Sequence, residues 1–183
     1  MRYRSSIKKS KGWMLALIIA ALLISWAGSA MSQEAKKADP WADYRFLIGE
    51  WVADNPGDQG QGTCSFLLDL QDKIMVRKNH AEAPASKDRP ATVHDDLMIM
   101  YLSGGAMKAA YYDSEEHLIN YEVTISANRD TLVFVSAADL QVPRFRLSYV
   151  KAGEGKLAGS FEFAPPGKPD AFSLYLKWTM SRK

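Results

Sequence analysis

The sequence predicts an all-β fold: an antiparallel up-and-down meander barrel of about ten strands, preceded by one short helix. Three observations predict it. Side chains alternate with period two, so that Phe145, Leu147 and Tyr149 oppose Arg144, Arg146 and Ser148, while Leu174, Leu176 and Trp178 oppose Ser173, Tyr175 and Lys177. Turn signals such as Ser103-Gly104-Gly105, Asn128-Arg129-Asp130 and Gly153-Glu154-Gly155 separate most segments at hairpin length. Nowhere between segments is there room for a crossover helix, so consecutive strands are antiparallel neighbours. A meander this long closes into a barrel or splits into a sandwich, because a flat sheet leaves open edges and one bare face.

Residues 1–30 stand apart from this pattern. Arg2, Arg4, Lys8, Lys9 and Lys11 precede an apolar run from Trp13 to about Ala27, and the small residues Gly28, Ser29 and Ala30 follow. The run is shorter than the roughly 20 residues that span a bilayer. It reads as a cleaved export signal, which leaves no stable membrane span; the alternative is an uncleaved amino-terminal anchor. No cysteine lies near the cleavage site, which excludes a lipoprotein anchor. The expected location is exported, either periplasmic or extracellular, and the leader chemistry favours a bacterial envelope. Residues 31–40 (MSQEAKKADP) read as a polar tether, and residues 41–183 as the barrel domain.

Within that domain, Asp39 and Pro40 suit a helix start, and Trp41, Tyr44 and Leu47 or Ile48 recur at helical spacing. Strand segments then follow from RFLIGEWVA (45–53) through GTCSFLLDLQ (62–71), KIMVRKNHAEA (73–83) and VHDDLMIMYLS (93–103). AMKAAYYD (106–113), HLINYEVTISA (117–127) and TLVFVSA (131–137) continue the series, and PRFRLSYVKA (143–152), KLAGSFEFA (156–164) and AFSLYLKWTMSRK (171–183) complete it. Met75, Met98, Met100, Met107 and Met180 are expected in the core. The run after Asp96 is apolar on both faces, which suggests a strand covered on both sides.

Charge excludes one class of partner. The chain has 23 Lys and Arg against 21 Asp and Glu, and the leader removes five cations and no acids. The exported part is therefore slightly acidic and offers no basic stripe for a nucleic acid. Cys64 is the only cysteine, so no internal disulfide forms and the fold must hold by its core. It sits mid-strand with no histidine or cation beside it in sequence, as a packed small hydrophobe does.

Three groups carry candidate chemistry. His80, His94 and His117, with Asp95, Asp96, Glu115 and Glu116 nearby, lack any HxH or HExxH spacing, and no metal site is assigned. If His94 and Asp96 share a strand face, one carboxylate can orient the ring for acid–base work, although no nucleophile motif accompanies them; the plainer reading is a cluster that bonds the PASKDRPA loop. Gly49 and Trp51 form a Gly-x-Trp at the start of the first strand. An indole there can cover a barrel end, the glycine can admit close backbone contact, and Arg182 near the carboxyl terminus can stack on the ring.

The short helix, Gly49-x-Trp51, about ten meander strands and Arg182 together resemble the lipocalin and fatty-acid-binding protein superfamily, the calycins, over roughly residues 41–183. More narrowly, HDDLMIMY, AAYYDSEEHLINY and PRFRLSYV…FEFAPPGKPDAF resemble a family of uncharacterised secreted bacterial proteins with this pattern. The chain departs from many secreted lipocalins in lacking a cysteine pair. The resemblance implies a barrel with a ligand lumen. Relatives that hold a fatty acid receive its carboxylate on a buried arginine and tyrosine, which points to Arg77, Arg144 and Arg146 and to Tyr112, Tyr149 and Tyr175. Arg77, Tyr112, Arg144, Arg146 and Tyr175 are the candidate ligand contacts. If Phe145, Leu147 and Tyr149 face inward, Arg144 and Arg146 lie outside.

The expected function is exported binding of a small apolar or amphipathic molecule, with no cofactor or catalytic residue assigned. The alternatives are a small-barrel enzyme built on His94 and Asp96, a haem-type binder using one histidine, and an envelope interaction module with a filled barrel.

Overall fold

A computed structural model describes residues 38–54, 61–87 and 89–183; the leader and most of the tether lie outside the described residues. Among the described residues, no helix is long and apolar enough to cross a membrane. A 3₁₀ helix, Ala42–Leu47, leads into β1 (Gly49–Ala53), β2 (Gln61–Asp69), β3 (Ile74–Ala83), β4 (Thr92–Ser103) and β5 (Ala106–Asp113). Then come β6 (Leu118–Ile125), β7 (Thr131–Ser136), β8 (Arg144–Lys151), β9 (Lys156–Ala164) and β10 (Ser173–Arg182). Each strand pairs antiparallel with its neighbours in sequence, and β1 pairs with β10, so the ten strands form a closed up-and-down barrel.

The helix begins later than its sequence signals suggest. Its cap is Trp41, whose side chain makes no capping bond to the helix, rather than Asp39, and the helix absorbs Arg45–Leu47, so β1 starts only at Gly49. The three-residue spacing of Trp41, Tyr44 and Leu47 suits a 3₁₀ turn, in which side chains at i and i+3 eclipse. Trp41 and Leu47 point into the barrel and are fully buried.

This helix seals one end. The Trp41 indole Nε1–H donates to Asp72 O at 2.8 Å in the β2–β3 turn, and Arg129 of the β6–β7 turn donates to Asp43 at 2.7 Å. The Gly49-Trp51-Arg182 expectation is met beside it. The Arg182 guanidinium carbon lies 4.5 Å from the Trp51 ring centroid, and the guanidinium donates to the carbonyls of Ile48 and Phe46. Trp51 Nε1–H donates to Leu47 O at 2.7 Å, tying strand to helix. Gly49 has φ +135°, and a Cβ there would lie 2.2 Å from Arg182 Nη1, so glycine answers both a backbone and a steric demand.

Inward-facing residues are solidly packed in the sealed half. Phe66, Met75, Met98, Met100, Leu132, Phe134, Tyr149 and Leu157 have no accessible surface. Phe134 meets Tyr121 and Tyr149 edge-on at 6.2 Å, and Tyr149 meets Phe66 at 5.4 Å. Cys64 is buried here as well. The outer face of β4 departs from expectation: Leu97, Ile99 and Tyr101 are only partly covered.

Candidate functional site

Followed toward the other end, where the loops are longer, the inward positions lose their burial strand by strand. On β8, Tyr149 and Leu147 are buried and Phe145 only partly so; on β9, Leu157 and Gly159 give way to partly exposed Phe161 and Phe163. On β10, buried Met180 is followed by Trp178 and then by Leu176, which is 40% exposed. Asn79 on β3, His94 on β4, Tyr111 on β5 and Ile119 on β6 follow the same gradient. The barrel is therefore solid below and opens above into a mouth.

One wall of the mouth is aromatic. Phe145 stacks on Phe161 at 5.8 Å, and Tyr175 packs edge-on against Phe161 and Phe163 at 6.2 Å each. The alternation read for β10 predicts Tyr175 on the face of Ser173 and Lys177, but a register shift between Leu174 and Leu176 turns its ring onto the inward phenylalanines. Trp178 lies across Gly159, where a Cβ would come within 2.2 Å of the indole, and meets Tyr149 edge-on at 6.1 Å. These aromatics sit on three consecutive strands because period-two alternation puts every second residue of each on the same face.

The opposite wall, on β3 to β5, is polar, and its buried edge forms the floor. Arg77 and Asp96 are 5% and 8% exposed. Arg77 Nη1 lies 3.0 Å from Asp96 Oδ1, and Nη2 donates to Oδ2 at 3.3 Å. Asn79 Nδ2 donates to the same Oδ2 at 3.0 Å. The Arg77 guanidinium carbon sits 5.8 Å from the Tyr149 ring centroid. Three floor atoms, Arg77 Nε, Asp96 Oδ1 and the Tyr149 hydroxyl, have no hydrogen-bond partner among the described residues, although Asp96 Oδ1 is held by its ion pair with Arg77 Nη1.

Electrostatics keep this floor charged but nearly neutral overall. Burial acts to lower the Arg77 pKa, but the Coulombic pull of Tyr149, Asp96 and Cys64 more than reverses it, and the guanidinium stays protonated. Burial pushes both the Tyr149 phenol and the Cys64 thiol up, so neither is ionised at neutral pH, and the carboxylate that faces the guanidinium at 3.0 Å is Asp96. Burial also raises Asp96 above the usual carboxylate range, against the opposing pull of Arg77 and His94.

Above the floor, His94 Nε2 lies 3.4 Å from Asp96 Oδ2 and 3.3 Å from the Tyr111 hydroxyl, while its Nδ1 lies 2.8 Å from Glu115 Oε2. The Tyr111 hydroxyl donates to Asp113 at 3.2 Å, and Asp113 also accepts from the backbone of Glu115 and His117. His94 and Asp96 thus do share a face, as expected, but the cluster ties to the β5–β6 turn rather than to the PASKDRPA loop. His80 lies on the opposite face, 2.7 Å from Asp95, so it does not confront His94. One donor atom from each of His94, Asp113 and Glu115 falls within 4.8 Å of the others, a set that could hold a divalent cation. Both ring nitrogens of His94 already face partners, so axial haem ligation by it would first break one of these contacts.

The candidate contacts therefore divide. Arg77 lies in the floor and Tyr175 in the mouth. Arg144 and Arg146 lie on the outer face, since Phe145, Leu147 and Tyr149 face inward. Arg146 donates twice to Glu162, at 2.6 Å each, and its guanidinium carbon lies 4.2 Å from the Phe172 ring centroid; Arg144 donates to Asp170 at 2.9 Å. Tyr112 is outside and 52% exposed. The sequence reading missed Phe161 and Phe163 as lining residues, and Asp96 as the partner of Arg77. Aligning Met75-x-Arg77-x-Asn79 antiparallel with Asp96-x-Met98-x-Met100 by their methionines gives the register observed, which sets Asn79 directly opposite Asp96 and Arg77 diagonal to it on the same face.

A cleft of about 520 Å³ also lies at the sealed end, lined by Phe46, Trp51, Lys151, Glu154, Lys156 and Arg182 among others. Two of its cations are already engaged, Arg182 with Ile48 O and Lys156 with Asp54 at 3.0 Å. It is distant from the polar floor and follows from the stacking that closes the barrel. No protein-family profile and no curated protein matches this sequence.

Proposed function

We propose that this chain is an exported, lipocalin-like binding protein that takes a small, largely apolar molecule into the mouth of its barrel. The observation that carries this reading is the aromatic wall of Phe145, Phe161, Phe163 and Trp178, inward-facing yet partly exposed above a buried polar floor, with the exposed Tyr175 edge-on to Phe161 and Phe163 at its rim. Apolar ligand burial there is favourable by about 25 cal/mol per Å² removed from water, and a few polar groups fix orientation. The solid lower half limits the ligand to the upper half. The resemblance to the calycins and to secreted bacterial barrels supports the same reading, as does the export leader. Among the described residues neither His94 nor Asp96 is hydrogen-bonded to a serine or cysteine, which favours passive binding over catalysis.

The test uses the three tryptophans of the exported part, Trp41, Trp51 and Trp178. Titration with a neutral apolar fluorophore, N-phenyl-1-naphthylamine, should show saturable energy transfer that falls in Trp178→Phe and whose affinity falls in Phe161→Ala. Native mass spectrometry should show a one-to-one complex. Absence of saturable binding, or binding unaffected by both substitutions, would overturn the reading.

A further inference from the structure

We propose that the mouth selects a neutral molecule bearing a hydrogen-bond-accepting oxygen, such as a lipid ester or ketone, and rejects a free carboxylate, with Asp96 as the residue that sets this choice. The inference rests on the binding reading above. An arginine inside an apolar barrel suggests an anion site, but here the anion is supplied from within. Both Nη atoms of Arg77 face Asp96, at 3.0 and 3.3 Å, and Asn79 donates to the same carboxylate. The charge of Arg77 is therefore matched before any ligand arrives.

The surroundings push further in that direction. Beyond Asp96 on the same wall stand Asp113, whose side chain is only 5% exposed, and Glu115. A carboxylate head group would lie beside Asp96 and Asp113, whose side chains are 3% and 5% exposed, with one guanidinium that is already paired; water screens these two acids poorly, and like charges there are strongly unfavourable.

What the floor leaves unused is hydrogen-bond donation. Arg77 Nε–H and the Tyr149 O–H are buried and have no partner among the described residues. Such orphans are rare in folded proteins. A carbonyl or ether oxygen accepts from one or both without adding charge, while the chain behind it lies along the aromatic wall. Net neutrality, unpaired donors and an apolar wall converge on one ligand class.

The experiment displaces N-phenyl-1-naphthylamine from the purified protein with two probes of equal chain length: methyl dodecanoate and dodecanoate. The ester should displace the reporter at a concentration about tenfold or more below that of dodecanoate. Asp96→Asn, which frees the Arg77 charge with little change of shape, should invert that order. Tyr149→Phe keeps the ring and should fold even if Asp96→Asn does not; it should weaken the ester about fivefold relative to the reporter. Wild-type protein that binds dodecanoate as well as the ester overturns the inference alone. An ester affinity insensitive to Tyr149→Phe, with no inversion in Asp96→Asn, also overturns it. If the reporter itself does not bind, the binding reading falls and takes this inference with it.

Discussion

The two ends of the barrel are built from the same alternating strands but use their inward positions differently. At the sealed end, the helix and Trp51 fill the tube and leave no accessible surface on Met75, Phe134 or Leu157. At the open end, equivalent positions on the same strands carry half-covered aromatics and a charged floor. The difference teaches that closure and binding are separable here. The lower half supplies the stability, and the upper half can then carry exposed apolar and unpaired polar groups at little risk to the fold.

The most severe test of that division compares two phenylalanines. Phe134→Ala removes a fully buried ring that touches Tyr121 and Tyr149, and should cost about 3–5 kcal/mol. Phe145→Ala at the mouth should cost about 1 kcal/mol or less, since its ring is already partly in water. Urea unfolding of both variants measures the gap. Equal losses would mean that the two halves form one core and that the mouth is structural.

A smaller effect is expected at the seam. Gly49→Ala places a Cβ on a backbone with φ +135° and against the Arg182 guanidinium, which must then leave Trp51 and Ile48 O. The backbone strain alone should cost about 1–3 kcal/mol. Arg182→Ala in the same background should then cost less than it does in the wild type, because the stacking is already lost. Additive losses would show that the glycine serves the backbone turn and not the arginine.

The seam was legible in the sequence because its parts are local and chemically distinctive: a glycine, an indole and a terminal arginine, each at a strand end. So were the ten strands, since period-two alternation needs no knowledge of partners. The floor was not. On β3 both faces carry apolar residues, Ile74 and Val76 against Met75, so alternation alone could not say whether Arg77 pointed in or out. Its pairing with Asp96 depends on the β3–β4 register, which the long loop between the strands does not dictate. For Arg144 and Arg146 the parity was readable, because Phe145, Leu147 and Tyr149 alternate cleanly with them. Tyr175 was named as a candidate contact, but its face was not readable, because one bulge redirects a residue without leaving a mark in its neighbours.

The smallest expected effect concerns pH at the rim of the open end, and there the sealed end serves as the control. Burial acts to raise the Asp113 pKa, but bonds from the His117 backbone and ring and from Tyr111 more than reverse it, so the group titrates below its ordinary value near about 3.9. A carboxylate whose pKa is lowered in the folded state contributes stability that is complete above the unfolded pKa and disappears as pH falls through the folded one. Asp113→Asn should therefore lower Tm most at pH 6, and the gap to wild type should shrink steadily below about pH 4. Gly49→Ala, which removes no titrating group, should keep a nearly constant gap over the same range. Thermal unfolding at pH 6, 4 and 3 separates the two behaviours, and a pH-independent gap for Asp113→Asn would mean that its bonds to His117 and Tyr111 do not favour the ionised carboxylate.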